Sequence, residues 1–128
     1  SLYCTRNNTI YITKQHMRIA YQYGDAAFAY ILTHEYAHAA QTVGGFRQNN
    51  ITKIELQADC LAGFYMGVMP TVTFDRQDIE EIANLAYRIG DYEINNRQHH
   101  GTPRQRAQAV LLGFQASAQN EIAACQLR

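Results

Sequence analysis

The first segments with a clear pattern are Leu2-Tyr3-Cys4-Thr5 and Thr9-Ile10-Tyr11-Ile12-Thr13, rich in β-branched and aromatic residues and separated by the polar Arg6-Asn7-Asn8. That composition predicts two short strands joined by a turn, a small hairpin. From residue 14 the apolar positions shift to helical spacing. Met17, Ile19-Ala20 and Tyr23 form a loose stripe over residues 14–23, and Asp25 stands where an N-cap would open an Ala-rich helix over 26–43, stopped by Gly44-Gly45. After a linker over 46–49, Asn50 offers the cap of a third helix over 51–69 with the stripe Ile54, Cys60-Leu61 and Phe64-Tyr65, and Pro70 marks its end. Ile79, Ile82-Ala83 and Ala86-Tyr87 predict a fourth helix over 75–89, closed by Gly90. Residues 91–101 read as an irregular polar segment. Thr102-Pro103-Arg104-Gln105 then supplies a Thr cap, a proline at the first helical position and a Gln at the third, opening a last helix that runs to about residue 118. The expected fold is α+β and mostly helical, with a small β element at the front and no internal repeat.

Composition narrows the function classes. A chain of 128 residues with 47% hydrophobic and 17% charged positions suits one domain spanning 1–128. Eleven basic residues balance eleven acidic ones without like-charge runs, which argues against nucleic acid as a partner. The longest charge-free apolar stretches, 26–33 and 60–70, are far below the roughly 20 residues that cross a bilayer, so no membrane contact is expected from this segment. The first residues carry neither a basic nor an apolar leader pattern, so any targeting signal is expected to have been removed or never present. Cys4, Cys60 and Cys125 are widely spaced without a C-x-x-C pair, which leaves one disulfide and one free thiol as an open pairing question.

The chemistry concentrates in His34-Glu35-Tyr36-Ala37-His38. On a helix, positions i and i+4 stack on one face, so both imidazoles can reach one cation, and the segment is helical on independent grounds. Catalytic zinc takes three protein ligands and keeps one position open. The next helix carries Glu55-Leu56-Gln57-Ala58-Asp59, two carboxylates one turn apart, and two antiparallel helices would bring that face opposite His34 and His38. Glu55 is then the third-ligand candidate, and Asp59 the acceptor that fixes a ligand imidazole's tautomer. Glu35, beside the ligands but off their face, is the candidate general base. The bland alternative is a pair of satisfied core histidines, an exposed Glu35 and a Glu55 paired with Lys53 or Arg47. His100, in the polar loop before the last helix, is the candidate oxyanion donor, with Tyr92 and Arg106 as alternatives; a loop-supporting or cap-supporting role for His100 is equally open, and His99 is a weaker candidate. Cys60 reads as a core residue or disulfide partner rather than a nucleophile, because no Cys–His pairing is evident.

The H-E-x-x-H segment followed by Glu55-Leu56-Gln57-Ala58-Asp59-Cys60-Leu61-Ala62-Gly63 resembles the bacterial neutral zinc metallopeptidase family, gluzincin-type in its site plan. Tyr3-Cys4, Ile10-Tyr11-Ile12, Arg88-Ile89-Gly90-Asp91 and His100-Gly101-Thr102 with Gln105-Arg106 extend the resemblance over nearly the whole chain. It implies a hairpin packed on a zincin-like helical core, one Zn2+ ion held by His34, His38 and Glu55, Glu35 as base and Asp59 as orienting carboxylate. The chain departs from the family pattern at Ala37, Ala39 and Tyr92, where the family commonly has Gly, His and Asp. The resemblance also implies an extracytoplasmic domain, periplasmic or secreted, with a membrane anchor in a longer precursor. The expected function is hydrolysis of peptide bonds in a peptide or protein substrate by zinc-activated water with Glu35 as base. A noncatalytic metal-binding scaffold of the cell envelope, or a zinc amidase acting on cell-wall peptides, are the alternatives; the same water activation serves any amide.

Overall fold

The structure is a computed structural model describing residues 2–44, 50–69, 73–89 and 101–126. It is α+β and mostly helical, as the patterning predicts. Strands β1 (Leu2–Cys4) and β2 (Thr9–Tyr11) form an antiparallel hairpin in the register Leu2 to Tyr11, Tyr3 to Ile10 and Cys4 to Thr9. Then follow α1 (Lys14–Tyr23), α2 (Asp25–Gly44), α3 (Ile51–Val68), α4 (Arg76–Ile89), α5 (Pro103–Ala118) and a 3-10 turn over Ile122–Cys125. No helix among the described residues is long and apolar enough to cross a membrane.

The helix ends follow their capping chemistry. Thr13 accepts from the backbone N–H of His16 to open α1, and Asn50 accepts from Lys53 to open α3. Thr102 and Gln105 close a reciprocal capping box at the start of α5, with Pro103 in its first turn. Asp75, expected inside the fourth helix, instead precedes it: its Oδ1 accepts from the Asp78 N–H while Asp78 Oδ2 accepts from the Asp75 N–H. Asp25 likewise is not a cap. Gly24, at φ +110°, turns the chain between α1 and α2 and supplies the first accepted carbonyl of α2, so Asp25 falls in the first turn, where its charge favours the helix dipole. Met69 is extended, as expected of a residue that precedes proline in the sequence. The stop at Gly45, the 46–49 linker, Pro70, Gly90 and the polar segment 91–100 lie outside the described residues.

Two apolar clusters hold the helices together. One joins all five helices through Ala20, Tyr30, Ile31, Met66, Ile82, Leu85 and Val110; the other joins α2, α3, α5 and the 3-10 turn through Ala37, Leu61, Phe64, Ala109 and Cys125. Two expected stripe positions, Met17 and Tyr87, are exposed, while Ala20, Ile82 and Ala86 are buried as expected and Leu85 is buried with them. Helices α3 and α5 approach closely because both carry glycine at the crossing. A Cβ on Gly113 would stand 1.9 Å from the Cys60 carbonyl oxygen, and one on Gly63 would stand 2.2 Å from that of Val110. Cys60 and Cys125 form a disulfide that ties the 3-10 turn to α3, leaving Cys4 as the free thiol. The pairing left open by spacing is thus resolved within the second cluster. This packing fixes α3 in position against α2, which is where the polar side chains of the core converge.

Candidate metal centre

Helix α2 presents His34 and His38 one turn apart, and α3 presents Glu55 and Asp59 one turn apart on the facing side. Glu55 Oε2 lies 2.9 Å from His34 Nε2 and 3.4 Å from His38 Nε2, and the two Nε2 atoms are 3.2 Å apart. A tetrahedral zinc ion with nitrogen and oxygen ligands at about 2.0–2.1 Å separates its ligand atoms by about 3.3–3.4 Å, so this triangle has nearly the edge lengths of three corners of such a site.

The far side of each imidazole shows why these atoms converge. His34 Nδ1 lies 2.9 Å from Asp59 Oδ1, a buried carboxylate that can only accept, so Nδ1 carries the proton. His38 Nδ1 lies 2.8 Å from Gln41 Oε1, and the amide of Gln41 is oriented by Nε2 donating to the Ile54 carbonyl and to Gln57 Oε1, both at 2.9 Å. In the neutral rings both Nε2 atoms are therefore lone pairs, aimed at each other and at a carboxylate oxygen. Such an arrangement is repulsive unless a metal ion, or a proton on one Nε2, stands among them.

Behind His34, Asp59 is fully buried and surrounded by donors. Arg106 Nε reaches Oδ2 at 2.8 Å, its Nη2 reaches Oδ1 at 3.1 Å, and the Tyr30 hydroxyl makes a short hydrogen bond to Oδ1. Arg106 Nη2 also donates to the Tyr30 oxygen at 3.1 Å. Burial would raise the Asp59 pKa, but Arg106 and His34 outweigh it and hold the carboxyl below its ordinary 3.8. Burial would lower that of Arg106, yet Asp59 raises it above the ordinary value. For His34 burial again pulls downward, and the carboxylates of Asp59 and Glu55 overcome it, lifting the pKa to about 9.

Glu35 is also buried, and the exposed-carboxylate alternative is set aside for it. One of its oxygens lies within 4.8 Å of the ligating nitrogens of His34 and His38, and Oε2 has no hydrogen-bond partner among the described residues. Two carboxylates therefore approach the imidazoles, Glu55 in direct contact and Glu35 with its Oε2 unpaired among the described residues. The cluster could hold a metal ion.

Of the oxyanion candidates, Arg106 is buried, and its guanidinium is bonded to Asp59 and Tyr30. The two other oxyanion candidates, His100 and Tyr92, lie outside the described residues, as does His99. Three residues escape a reading of motif spacing alone: Tyr30, Gln41 and Gln57. Tyr30 is one turn before His34 and Gln41 three residues after His38, so helical periodicity carried on beyond the motif would have put them on its face.

A mostly helical chain that brings His34, Glu35 and His38 of one helix within reach of Glu55 on the next has, as a class, a cluster that could hold a metal ion. A family model described as "Putative neutral zinc metallopeptidase" matches residues 1–126, and the chain belongs to that family. Two similar proteins, both called "Uncharacterized protein YpfJ", come from Escherichia coli K12 and Escherichia coli O6:H1. Each is 31% identical over 121 residues, a match covering 71% of this chain and 40% of the relative. The chain thus spans about two fifths of the length of these curated relatives. No solved structure matches it.

Proposed function

We propose that the chain is a zinc-dependent, gluzincin-type peptidase domain in which His34, His38 and Glu55 hold one Zn2+ ion and Glu35 is the general base. The observation that carries this reading is the triangle of Nε2, Nε2 and Oε2, with both Nδ1 protons committed elsewhere and an unpartnered Glu35 oxygen beside it. Zinc, when bound, supplies the Lewis acidity that activates water and polarises an amide carbonyl. The protein's own part is proton handling and orientation. The Glu35 carboxylate, whose Oε2 has no hydrogen-bond partner among the described residues, takes the proton from the attacking water and delivers it to the leaving amine nitrogen. Asp59 holds His34 in the tautomer that leaves Nε2 free, and Arg106 and Tyr30 keep Asp59 charged and fixed. The substrate of this reading is a peptide or protein chain. It also puts the domain outside the cytoplasm, in the periplasm or secreted, which a disulfide between Cys60 and Cys125 supports.

The test is incubation of the zinc-loaded protein with a diverse peptide library read by mass spectrometry, alongside Glu35→Gln. Cleavage by the wild type, reduced about 10²–10⁴-fold in a variant that still binds zinc, is the expected result. Equal cleavage by both would refute the base assignment. Silence from a zinc-loaded wild type would refute the peptidase reading and favour the scaffold or the cell-wall amidase.

A further inference from the structure

Gln41 lies outside the H-E-x-x-H segment, yet its Oε1 is the hydrogen-bond partner of His38 Nδ1. Its side chain is largely buried, and it makes three side-chain hydrogen bonds among the described residues. Two are donor bonds to α3: one to the carbonyl of Ile54, next to Glu55, and one to Gln57, which is buried at 1% exposure two residues before Asp59. Because Nε2 is used on α3, Oε1 must face α2, where it meets His38 Nδ1 at 2.8 Å. A flipped amide would set NH2 against the ring N–H and lose the acceptor.

We infer that Gln41 is a positioning residue for the metal centre. Its amide, oriented by Gln57 and the Ile54 carbonyl, fixes His38 with the proton on Nδ1 and the lone pair of Nε2 toward the metal. This inference rests on the zinc reading above. The two ligand histidines are thus held in unlike ways, His34 by a buried anion backed by Arg106 and His38 by a neutral amide backed by a second amide. The amide chain also bridges the two ligand-bearing helices next to Glu55. Partners of this kind, hydrogen-bonded to a ligand imidazole, change metal affinity by about 10–100-fold when removed.

The acceptor and donor functions of Gln41 separate by substitution. Gln41→Met removes both, whereas Gln41→Glu keeps an oxygen for His38 Nδ1 and loses both donations to α3. Zinc affinity, measured by chelator competition, is expected to fall about 10–100-fold in Gln41→Met and to stay within about threefold of wild type or tighten in Gln41→Glu. The melting temperature of the metal-stripped protein is expected to fall in both. If Gln41 were only a link between helices, the two variants would lose zinc affinity alike, and that result would overturn the inference, as would a Gln41→Met affinity equal to wild type. A second measurement needs no variant. Long-range 15N–1H NMR of the zinc-loaded wild type should show His38 protonated at Nδ1 and metal-bound at Nε2; the opposite tautomer would overturn the inference while leaving zinc binding intact. A wild type that binds no zinc would instead fail the reading beneath it.

Discussion

Replacing Asp59 by Asn tests the electrostatic core of the site. The carboxylate is fully buried, and Arg106, at 5% exposure, is buried against it by two hydrogen bonds. Asn keeps the shape and an acceptor for His34 but removes the charge that compensates the guanidinium. Breaking a buried ion pair from one side costs about 3–5 kcal/mol. For 128 residues the unfolding entropy is about 0.27 kcal/mol per kelvin, which converts this cost to a fall of roughly 11–19 °C in melting temperature. Calorimetry of the metal-stripped protein isolates the term, since zinc loss then contributes nothing. Asp59→Asn with Arg106→Met removes both charges and should lose less than the two single variants together. Because Asp59 is held below its ordinary 3.8, its contribution is intact above about pH 4 and is lost as acid protonates it through that depressed value. A single variant melting within 3 °C of wild type, or fully additive losses in the double, would refute the reasoning.

Two further outcomes follow from the same geometry. Cys60 and Cys125 are 65 residues apart in sequence, so removing their bond by Cys125→Ser should cost about 2–4 kcal/mol, read as a melting temperature lower by roughly 7–15 °C; no change under oxidising conditions would contradict the pairing. Zinc and a proton compete for His34 Nε2, and the metal-free protein holds that proton up to about pH 9, so apparent zinc affinity should climb about tenfold per pH unit from 6.5 to 8 and level off above 9. The same proton stabilises the metal-free fold below pH 6.5, a contribution lost as pH rises toward 9. Chelator competition across this range that gave a constant affinity would contradict the assignment.

Where local chemistry decides the structure, the sequence was readable. The hairpin, the Asn50 cap and the Thr102 capping box involve residues within a few positions of one another, and the structure has each of them. The same locality made the facing pairs His34/His38 and Glu55/Asp59 visible, since one helical turn separates each pair. Gly24 was missed as the opening of α2 because its role is a positive-φ turn out of α1, set by the backbone and not by a capping side chain. The remaining features are long-range. Arg106 is 47 residues from Asp59, and nothing in the spacing says that a basic residue in the last helix serves a carboxylate in the third. The Cys60–Cys125 pairing depends on how α5 turns the chain back onto α3. Gln57, with no charge and no motif position, shows its purpose only when Gln41 is seen against it.

The most direct test is a crystal structure of the zinc-loaded protein with anomalous diffraction at the zinc edge. The account predicts one peak about 2.0–2.2 Å from His34 Nε2, His38 Nε2 and a Glu55 oxygen, with Glu35 nearby but not bound. A peak bound by Glu35 in place of Glu55, or zinc seated away from the two histidines, would contradict it.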